Sequence, residues 1–334
     1  MNTSQPLVSV VIPMYNVAEY IFSALDSVLT QTYKNLEVIC VDDGSPDDSS
    51  TIVRSFLDPR IKLIEQQNRG LAGARNTGLY HATGKYVALL DADDLWHKDK
   101  IKLHVEHLEQ NSDVDISYSP SLFMSESGEK LTIGQFPKLT NITAKDILCR
   151  NPVGNGSAPV IRKSLLRKIE QGFQDETRSS VIYFDERLRQ SEDIEFWLRC
   201  ALTYEAKFEG IKQPLTYYRI NSAGLSANLE NQYNSWKAAI SYNFKHHSAF
   251  FRRWFTLAKA YQYRYLARRA IQSNMPQAAV FYTTSAIKTN SRILFEEPKR
   301  TISTVICTGL MKLNPKIMTW LSERITKPIR YAKS

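Results

Sequence analysis

The chain has few cysteines and lacks several signatures by which enzymes are commonly classified. Its four cysteines, Cys40, Cys149, Cys200 and Cys307, are far apart and without metal-ligand spacing, which favours a reducing compartment over a disulfide framework. No Gly-x-Gly-x-x-Gly follows the first predicted strand and no Walker sequence is present, so the usual signatures of hydride transfer and P-loop phosphoryl transfer are missing. The first predicted strand begins by Val8, which leaves no room for a signal segment and predicts a cytoplasmic protein.

Acidic residues are scarce in the C-terminal third. From Glu230 to Ser334 there are 18 Lys and Arg against 4 Glu and no Asp, a balance of +14, whereas the remainder has 25 basic and 30 acidic residues. The apolar run between Arg300 and Lys312 has only 11 residues, and a spanning helix needs about 20. We therefore expect two parts with separate roles, a catalytic domain over 1–228 and a basic helical region over 229–334.

The basic region is predicted to be a membrane-surface or acceptor-binding module. Apolar and basic residues alternate after Pro298, so this part predicts a helix that lies on an anionic membrane surface. The alternative is a helical cap on the catalytic domain with a solvated basic face. The sequence does not decide between them.

Strands and helices alternate through the first hundred residues. This spacing predicts parallel βαβ units, whose polar loops gather at one edge of the sheet. We expect an α/β fold with a mostly parallel, Rossmann-like sheet flanked by helices. The predicted strands are 8–13, 37–41, 61–65, 87–90 and 114–124, and the predicted helices include 51–56, 72–81 and 142–150.

Three carboxylates follow the apolar run that begins at Val87. Asp91, Asp93 and Asp94 would repel one another at the end of a buried strand unless a cation lay among them. Mg²⁺ and Mn²⁺ take carboxylate oxygens and share the rest of their shell with substrate phosphates. The motif therefore predicts a metal-bound nucleotide, although a solvated turn would have the same composition.

Five motifs in order resemble those of the family 2 glycosyltransferases. They are Val-Ser-Val-Val-Ile-Pro-x-Tyr-Asn from Val8, Val-Asp-Asp-Gly-Ser from Val41, Asn-x-Gly-x-x-x-Ala-Arg-Asn from Asn68, Gly-Lys-Tyr-x-x-x-Leu-Asp-x-Asp-Asp from Gly84, and Ser-Glu-Asp-Ile-Glu-Phe-Trp-Leu-Arg from Ser191. The resemblance covers roughly residues 5 to 228. It implies a GT-A fold, a nucleotide-diphosphate-sugar donor, a divalent metal (Mn²⁺ or Mg²⁺) and inversion at the anomeric carbon.

The resemblance also implies residues that bind the donor. Pro13 and Tyr15 would hold the base, Asp42 would accept a hydrogen bond from its imide, and Asn68 and Arg75 would complete the nucleotide cradle. Arg75 is also suited to the phosphates, because a guanidinium offers several fixed donors to oxygen anions. The alternative roles are a strand-end turn for Asp42 and a helix cap for Asn68.

Further positions would serve the metal, the ribose and the acceptor. By resemblance, Asp91 would reach the ribose and the metal shell, Asp93 would bind the metal directly, and the small Ala92 would leave room for the ribose. Inversion requires a base opposite the leaving group, and we predict Asp193, with Glu192 as the second candidate. Both could instead only complement the dipole of the helix that they begin.

One position departs from the family pattern. Many members carry His two residues after the Arg of their closing loop. Here that Arg is Arg219, and the position two residues later holds Asn221. Asn offers no cationic imidazole, so stabilisation of the leaving group would depend on Arg219 and the metal.

The sequence thus predicts an inverting hexosyl- or N-acetylhexosaminyltransferase in cell-surface polysaccharide biosynthesis. A UDP-sugar would be the donor, a glycan or lipid-linked molecule the acceptor, and the cytoplasmic face of a membrane the location; no nucleic-acid partner is expected. Two alternatives are a catalytically weak nucleotide-sugar-binding module held on a membrane by its basic tail, and a sugar nucleotidyltransferase. The latter should carry a Gly-rich basic loop after its first strand, and the residues 14–17 provide neither feature.

Overall fold

The structure is a computed structural model, and it describes residues 5–172, 183–220 and 229–313. Strands and helices alternate up to β4, and the described elements after β11 are helices. The strands are β1 (Val8–Met14), β2 (Leu36–Asp42), β3 (Ile61–Glu65), β4 (Tyr86–Leu89), β5 (Leu95–Trp96), β6 (Ile116–Tyr118), β7 (Ser121–Met124), β8 (Lys130–Gln135), β9 (Val160–Arg162), β10 (Phe208–Gly210) and β11 (Thr216–Arg219). The helices are α1 (Ala18–Leu29), α2 (Ser49–Ser55), α3 (Gly70–His81), α4 (Lys100–Gln110), α5 (Ala144–Arg150), α6 (Lys163–Gly172), α7 (Glu192–Thr203), α8 (Leu229–His246), α9 (Ser248–Gln272), α10 (Pro276–Thr289), α11 (Ile293–Glu296) and α12 (Pro298–Leu313).

A seven-stranded sheet forms the centre of the fold. Its strand order is β10-β6-β9-β4-β1-β2-β3, and only β9 runs antiparallel to its neighbours. Every residue of β1 and β2 is buried, as expected for strands covered by helices on both faces. The predicted α/β class and mostly parallel sheet are confirmed.

The predicted single strand over 114–124 was wrong. The chain forms β6 in the large sheet and then β7 in a second sheet of order β5-β11-β7-β8. Pro120 lies between the two strands, and proline cannot donate to a strand ladder. An apolar run therefore looked continuous in the sequence although its two halves pair in different sheets.

The first two C-terminal helices pack directly on the catalytic part. Trp236 and Ile240 of α8 and Phe251 of α9 belong to the same apolar cluster as Phe196 and Trp197 of α7. A second, smaller cluster joins α9 to α10 and α12 through side chains such as Leu266 and Met311. Across the three described ranges, no helix has both the length and the apolar character that a membrane crossing requires.

Candidate active site

Three predicted nucleotide-binding residues lie at two neighbouring strand ends. Pro13 is buried in β1, and Tyr15 follows that strand with half of its side-chain surface exposed. At the end of β2, the buried Asp42 carboxylate accepts hydrogen bonds from the Ser45 backbone N–H, at 2.8 Å, and from the Ser50 hydroxyl. Because β1 and β2 are parallel, these side chains share one edge of the sheet.

The next carboxylate in the chain fixes the start of α3. The buried Asp43 carboxylate accepts the backbone N–H groups of Arg69 at 2.8 Å and Gly70 at 2.7 Å, and the Gln66 side-chain amide at 2.6 Å. Asn68 is exposed beside it, and its Oδ1 accepts the Gly70 N–H at 3.2 Å. No role for Asp43 was predicted from the sequence, although a second acid before Gly44 is a recognisable signal for such an anchor.

Arg75 joins two predicted parts of the site. Its guanidinium is 2% exposed and donates to Asp91 Oδ1 and to Glu192 Oε1, each at 2.6 Å. It also lies over the Phe184 ring, 5.4 Å from the centroid. Burial lowers the pKa of Arg75, but the two carboxylates outweigh burial and raise it overall. Arg75 therefore connects the loop after β4 to the N-terminus of α7.

Gly156 packs against this arginine–aspartate pair. A Cβ atom at position 156 would clash with Arg75 Nη2 and would lie 2.5 Å from Asp91 Oδ2. The neighbouring Ser157 hydroxyl bonds the Asp91 backbone N–H at 2.9 Å and donates to Asp94 Oδ2 at 2.6 Å. The loop that contains Gly156 and Ser157 thus helps to hold the carboxylate motif, a role that the sequence alone did not reveal.

We expect Gly156→Ala to destabilise the protein by about 1–3 kcal/mol, because the new methyl group must displace Arg75 or Asp91. The measurement is chemical denaturation. Gly309→Ala is the matched control, since a Cβ there meets nothing within 4 Å and α12 should gain about 0.5–1 kcal/mol. An unchanged midpoint for Gly156→Ala would contradict the described packing.

The three carboxylates after β4 lie close enough to influence one another. Asp94 is fully buried and accepts the Arg219 backbone N–H at 2.9 Å. Burial, followed by the charges of Asp93 and Asp91, holds the pKa of Asp94 well above its usual range. A cation beside these groups would relieve that repulsion.

The residues present fit a divalent metal that substrate phosphates help to hold. Asp91 and Asp93 provide hard carboxylate oxygens, the ligands that Mg²⁺ and Mn²⁺ prefer. In the ranges that the structure describes, no three His, Cys, Asp or Glu side chains form a metal-binding group by themselves. Between these two aspartates, Ala92 is buried in the core behind the motif.

Arg219 holds two loops together. Its Nε donates to the Asp93 carbonyl at 2.8 Å, and its Nη1 donates to the carbonyls of Ser125 at 3.2 Å and Glu126 at 2.5 Å. The guanidinium lies 4.6 Å from the centroid of the Tyr20 ring. It thereby fixes the β7–β8 turn against the aspartate motif. Asn221, which replaces the family histidine, lies outside the described residues.

The two candidate bases differ in their surroundings. Both lie in the first turn of α7, but the Glu192 carboxylate is buried and bonded to Arg75, whereas Asp193 is partly buried and its Oδ2 accepts the Asn151 amide at 3.1 Å. Burial and the adjacent Glu192 raise the pKa of Asp193 to about 7, with Arg75 acting in the opposite direction. A carboxyl group with this pKa can exchange a proton near neutral pH.

The parallel sheet, the polar loops at its carboxyl edge and the aspartate motif after β4 are features of the GT-A fold. The family model described as Glycosyl transferase family 2 matches residues 9–170. Together with relatives that are more than 30% identical over most of their length, this match establishes that the chain belongs to glycosyltransferase family 2. The predicted resemblance is confirmed.

The chain is similar to proteins from several organisms. It is 33% identical over 232 residues to the Escherichia coli UDP-Glc:alpha-D-GlcNAc-diphosphoundecaprenol beta-1,3-glucosyltransferase WfaP, covering 66% of this chain and 80% of that one. It is 32% identical over 215 residues to an uncharacterized glycosyltransferase of Rickettsia felis, covering 64% of this chain but only 33% of that relative. Among solved structures, the mannosyltransferase PcManGT of Pyrobaculum calidifontis, in complex with GDP-Man and Mn²⁺, aligns with a TM-score of 0.57 and 21% identity over 94% of this chain and 89% of that one. That structural likeness supports the fold alone.

Proposed function

We propose that this protein is an inverting glycosyltransferase that moves a hexose or N-acetylhexosamine from a UDP-sugar to a lipid-linked or glycan acceptor. The observation that carries the proposal is the Asp91–Arg75–Glu192 bridge. It connects the aspartate motif, which suits a metal-bound diphosphate, to the first turn of α7, where Asp193 has a pKa of about 7. An inverting transfer needs a base on the face opposite the leaving group, and a bound metal would stabilise the leaving diphosphate.

The donor's nucleotide would bind at the ends of β1 and β2. The half-exposed Tyr15 ring can contact one face of the base, the backbone near Pro13 can reach its edge, and the Asp42 carboxylate can accept an imide N–H. Asn68, exposed at the start of α3, can add a further hydrogen bond. UDP is the proposed nucleotide because uracil offers that imide N–H and because the name of WfaP states a UDP-sugar donor.

Asp93 would bind the metal, and Asp91 would share its shell and reach the ribose beside Ala92. When bound, Mn²⁺ or Mg²⁺ stabilises the charge that grows on the leaving diphosphate. Arg75 would act mainly by holding Asp91, since its guanidinium is already paired with two carboxylates. Arg219 would contribute positive charge behind the motif, and a direct contact with phosphate would require it to release the carbonyls that it now bonds.

Asp193 would act as the general base. Its carboxylate takes the proton of the acceptor hydroxyl while that oxygen forms a bond to the anomeric carbon and the bond to the diphosphate oxygen breaks. Attack opposite the leaving group inverts the anomeric configuration. Glu192 is less suited to this role, because its carboxylate is buried against Arg75.

The proposed reaction takes place at a membrane surface. We place catalysis in residues 1–228 and attachment in the basic region 229–334, at the cytoplasmic face of a membrane. The +14 charge balance of residues 230–334 and the lipid-linked acceptor in the name of WfaP support this setting.

A panel of nucleotide sugars tests the proposal. With Mn²⁺ and no acceptor, we expect slow hydrolysis of one or more UDP-sugars and no hydrolysis after chelation of the metal. Addition of a lipid-linked glycan acceptor should then increase turnover and give a product of inverted anomeric configuration, which NMR can read. Retention of configuration, or equal hydrolysis without a divalent metal, would contradict the proposed mechanism.

A further inference from the structure

The orientation of helix α12 is the reverse of what burial of apolar surface predicts. Its buried positions are mostly threonines, and its large aliphatic side chains face outward. Buried are Thr301, Thr304, Thr308 and Met311. Exposed are Ile302, Val305, Ile306 and Leu313, with between 38% and 84% of their surface accessible.

Specific hydrogen bonds hold this orientation. Arg264 of α9 donates to the Thr301 hydroxyl at 2.6 Å, and the hydroxyls of Thr283 on α10 and Thr308 are 2.8 Å apart. The threonine face therefore has polar partners in α9 and α10, and turning the helix over would leave Arg264 Nη1 and the Thr283 hydroxyl buried without these partners. Burial of an unpaired hydroxyl or guanidinium is costly, so the outward position of the aliphatic side chains is a stable feature of the fold.

The exposed aliphatic residues lie on one side of α12, with Gly309 between Ile306 and Leu313. Their spacing of three, four and eleven residues from Ile302 places them on one face of an α-helix. We call Ile302, Val305, Ile306 and Leu313 the α12 stripe. The exposed Lys299 and Lys312 lie beside its two ends.

We propose that the α12 stripe is a membrane-contact surface that inserts among the lipids of an anionic bilayer. A helix lying in the interface needs an aliphatic face to enter the acyl boundary and cations at its sides to meet the headgroups. The stripe and its two lysines provide both, and the excess of basic over acidic residues in this region matches a negatively charged surface. The α12 stripe would be the surface by which the region 229–334 attaches to the membrane, and in this it rests on the proposed function. It concerns attachment and not the transfer step.

Vesicle co-sedimentation of the full chain tests the proposal. Vesicles of phosphatidylcholine alone and of phosphatidylcholine with phosphatidylglycerol serve as probes. We expect wild-type protein to bind the anionic vesicles more strongly. The double variant Ile302→Ser with Ile306→Ser should lower the partition coefficient about tenfold or more, because it removes aliphatic surface. Lys299→Gln with Lys312→Gln should lower it about fivefold per lysine at low salt.

Matched variants separate insertion from general effects. Leu57→Ser removes an aliphatic side chain that is 97% exposed in the loop after α2, and it should leave vesicle binding unchanged. Ile302→Leu with Ile306→Leu should bind vesicles as wild type does, since it keeps the aliphatic surface. Hydrolysis of free UDP-sugar, measured in parallel, should be the same for all these variants, because no substituted residue contacts the candidate active site.

Three results would overturn the proposal. The first is equal vesicle binding by wild type and the variant Ile302→Ser with Ile306→Ser. The second is no binding of wild type to anionic vesicles, and the third is a lipid-free dimer that this serine variant abolishes. The last result would make a second copy of the chain the partner of the stripe. Absence of donor hydrolysis in the wild type would instead count against the proposed enzymatic function, while vesicle binding would still decide this inference.

Discussion

Asp193→Asn is expected to lower kcat for glycosyl transfer by a factor of about 10²–10⁴, the usual contribution of a general base, while donor affinity stays close to that of the wild type. The reason is that Asn keeps the shape of the side chain and can still bond Asn151 but cannot accept the acceptor's proton. Calorimetry with the UDP-sugar and Mn²⁺ measures binding, and turnover with acceptor measures transfer.

The pH dependence provides an independent readout for the same variant. Because the deprotonated carboxylate is the active form, wild-type kcat should rise as pH increases through about 7. A folded-state pKa above the usual value means that the stability contributed by protonated Asp193 is lost as pH rises through about 7. Asp193→Asn should therefore melt at a higher temperature than wild type above pH 7, which would exclude misfolding as the cause of lost transfer.

Glu192→Gln is the matched control for the base assignment. It breaks the charge pair with Arg75, so we expect lower stability and weaker donor binding but residual, pH-dependent transfer. If Asp193→Asn retained substantial transfer and Glu192→Gln lost it, Glu192 would be the base.

Asp93→Ala should abolish metal-dependent donor binding. Loss of a direct metal ligand removes several kcal/mol of diphosphate binding, and about 3 kcal/mol corresponds to roughly a hundredfold weaker affinity. Titration of the UDP-sugar with and without Mn²⁺ measures the effect, and the difference between the two conditions should disappear in the variant.

Asp113→Ala is a suitable control, since Asp113 is an exposed acid paired with Lys207 on the surface. It removes one negative charge outside the site and should leave donor affinity unchanged. Mn²⁺-dependent binding by Asp93→Ala that equals the wild-type value would mean that Asp93 is not a metal ligand.

The sequence was a good guide to the fold where local pattern and tertiary environment agree. The apolar runs at β1 to β4 and the polar residues that end them predicted the parallel sheet and the edge at which the site lies. The run over 114–124 was misjudged, because pairing with partners far along the chain decides which sheet a strand joins. Strand pairing of this kind leaves no signature in the strand's own residues.

For the candidate site, the sequence by itself determined which residue types were available and in what order, since the family motifs run from Val8 to Arg199. Only the tertiary structure decided how they are connected. Arg75, predicted to bind the donor's phosphates, is enclosed between Asp91 and Glu192, and Gly156 packs where no larger residue fits. The tertiary structure also decided which face of α12 is buried. The apolar period of this helix is visible in the sequence, but the partners of its threonines lie on α9 and α10. Periodicity specifies that a helix has two faces, and only the groups packed against it determine which face is buried.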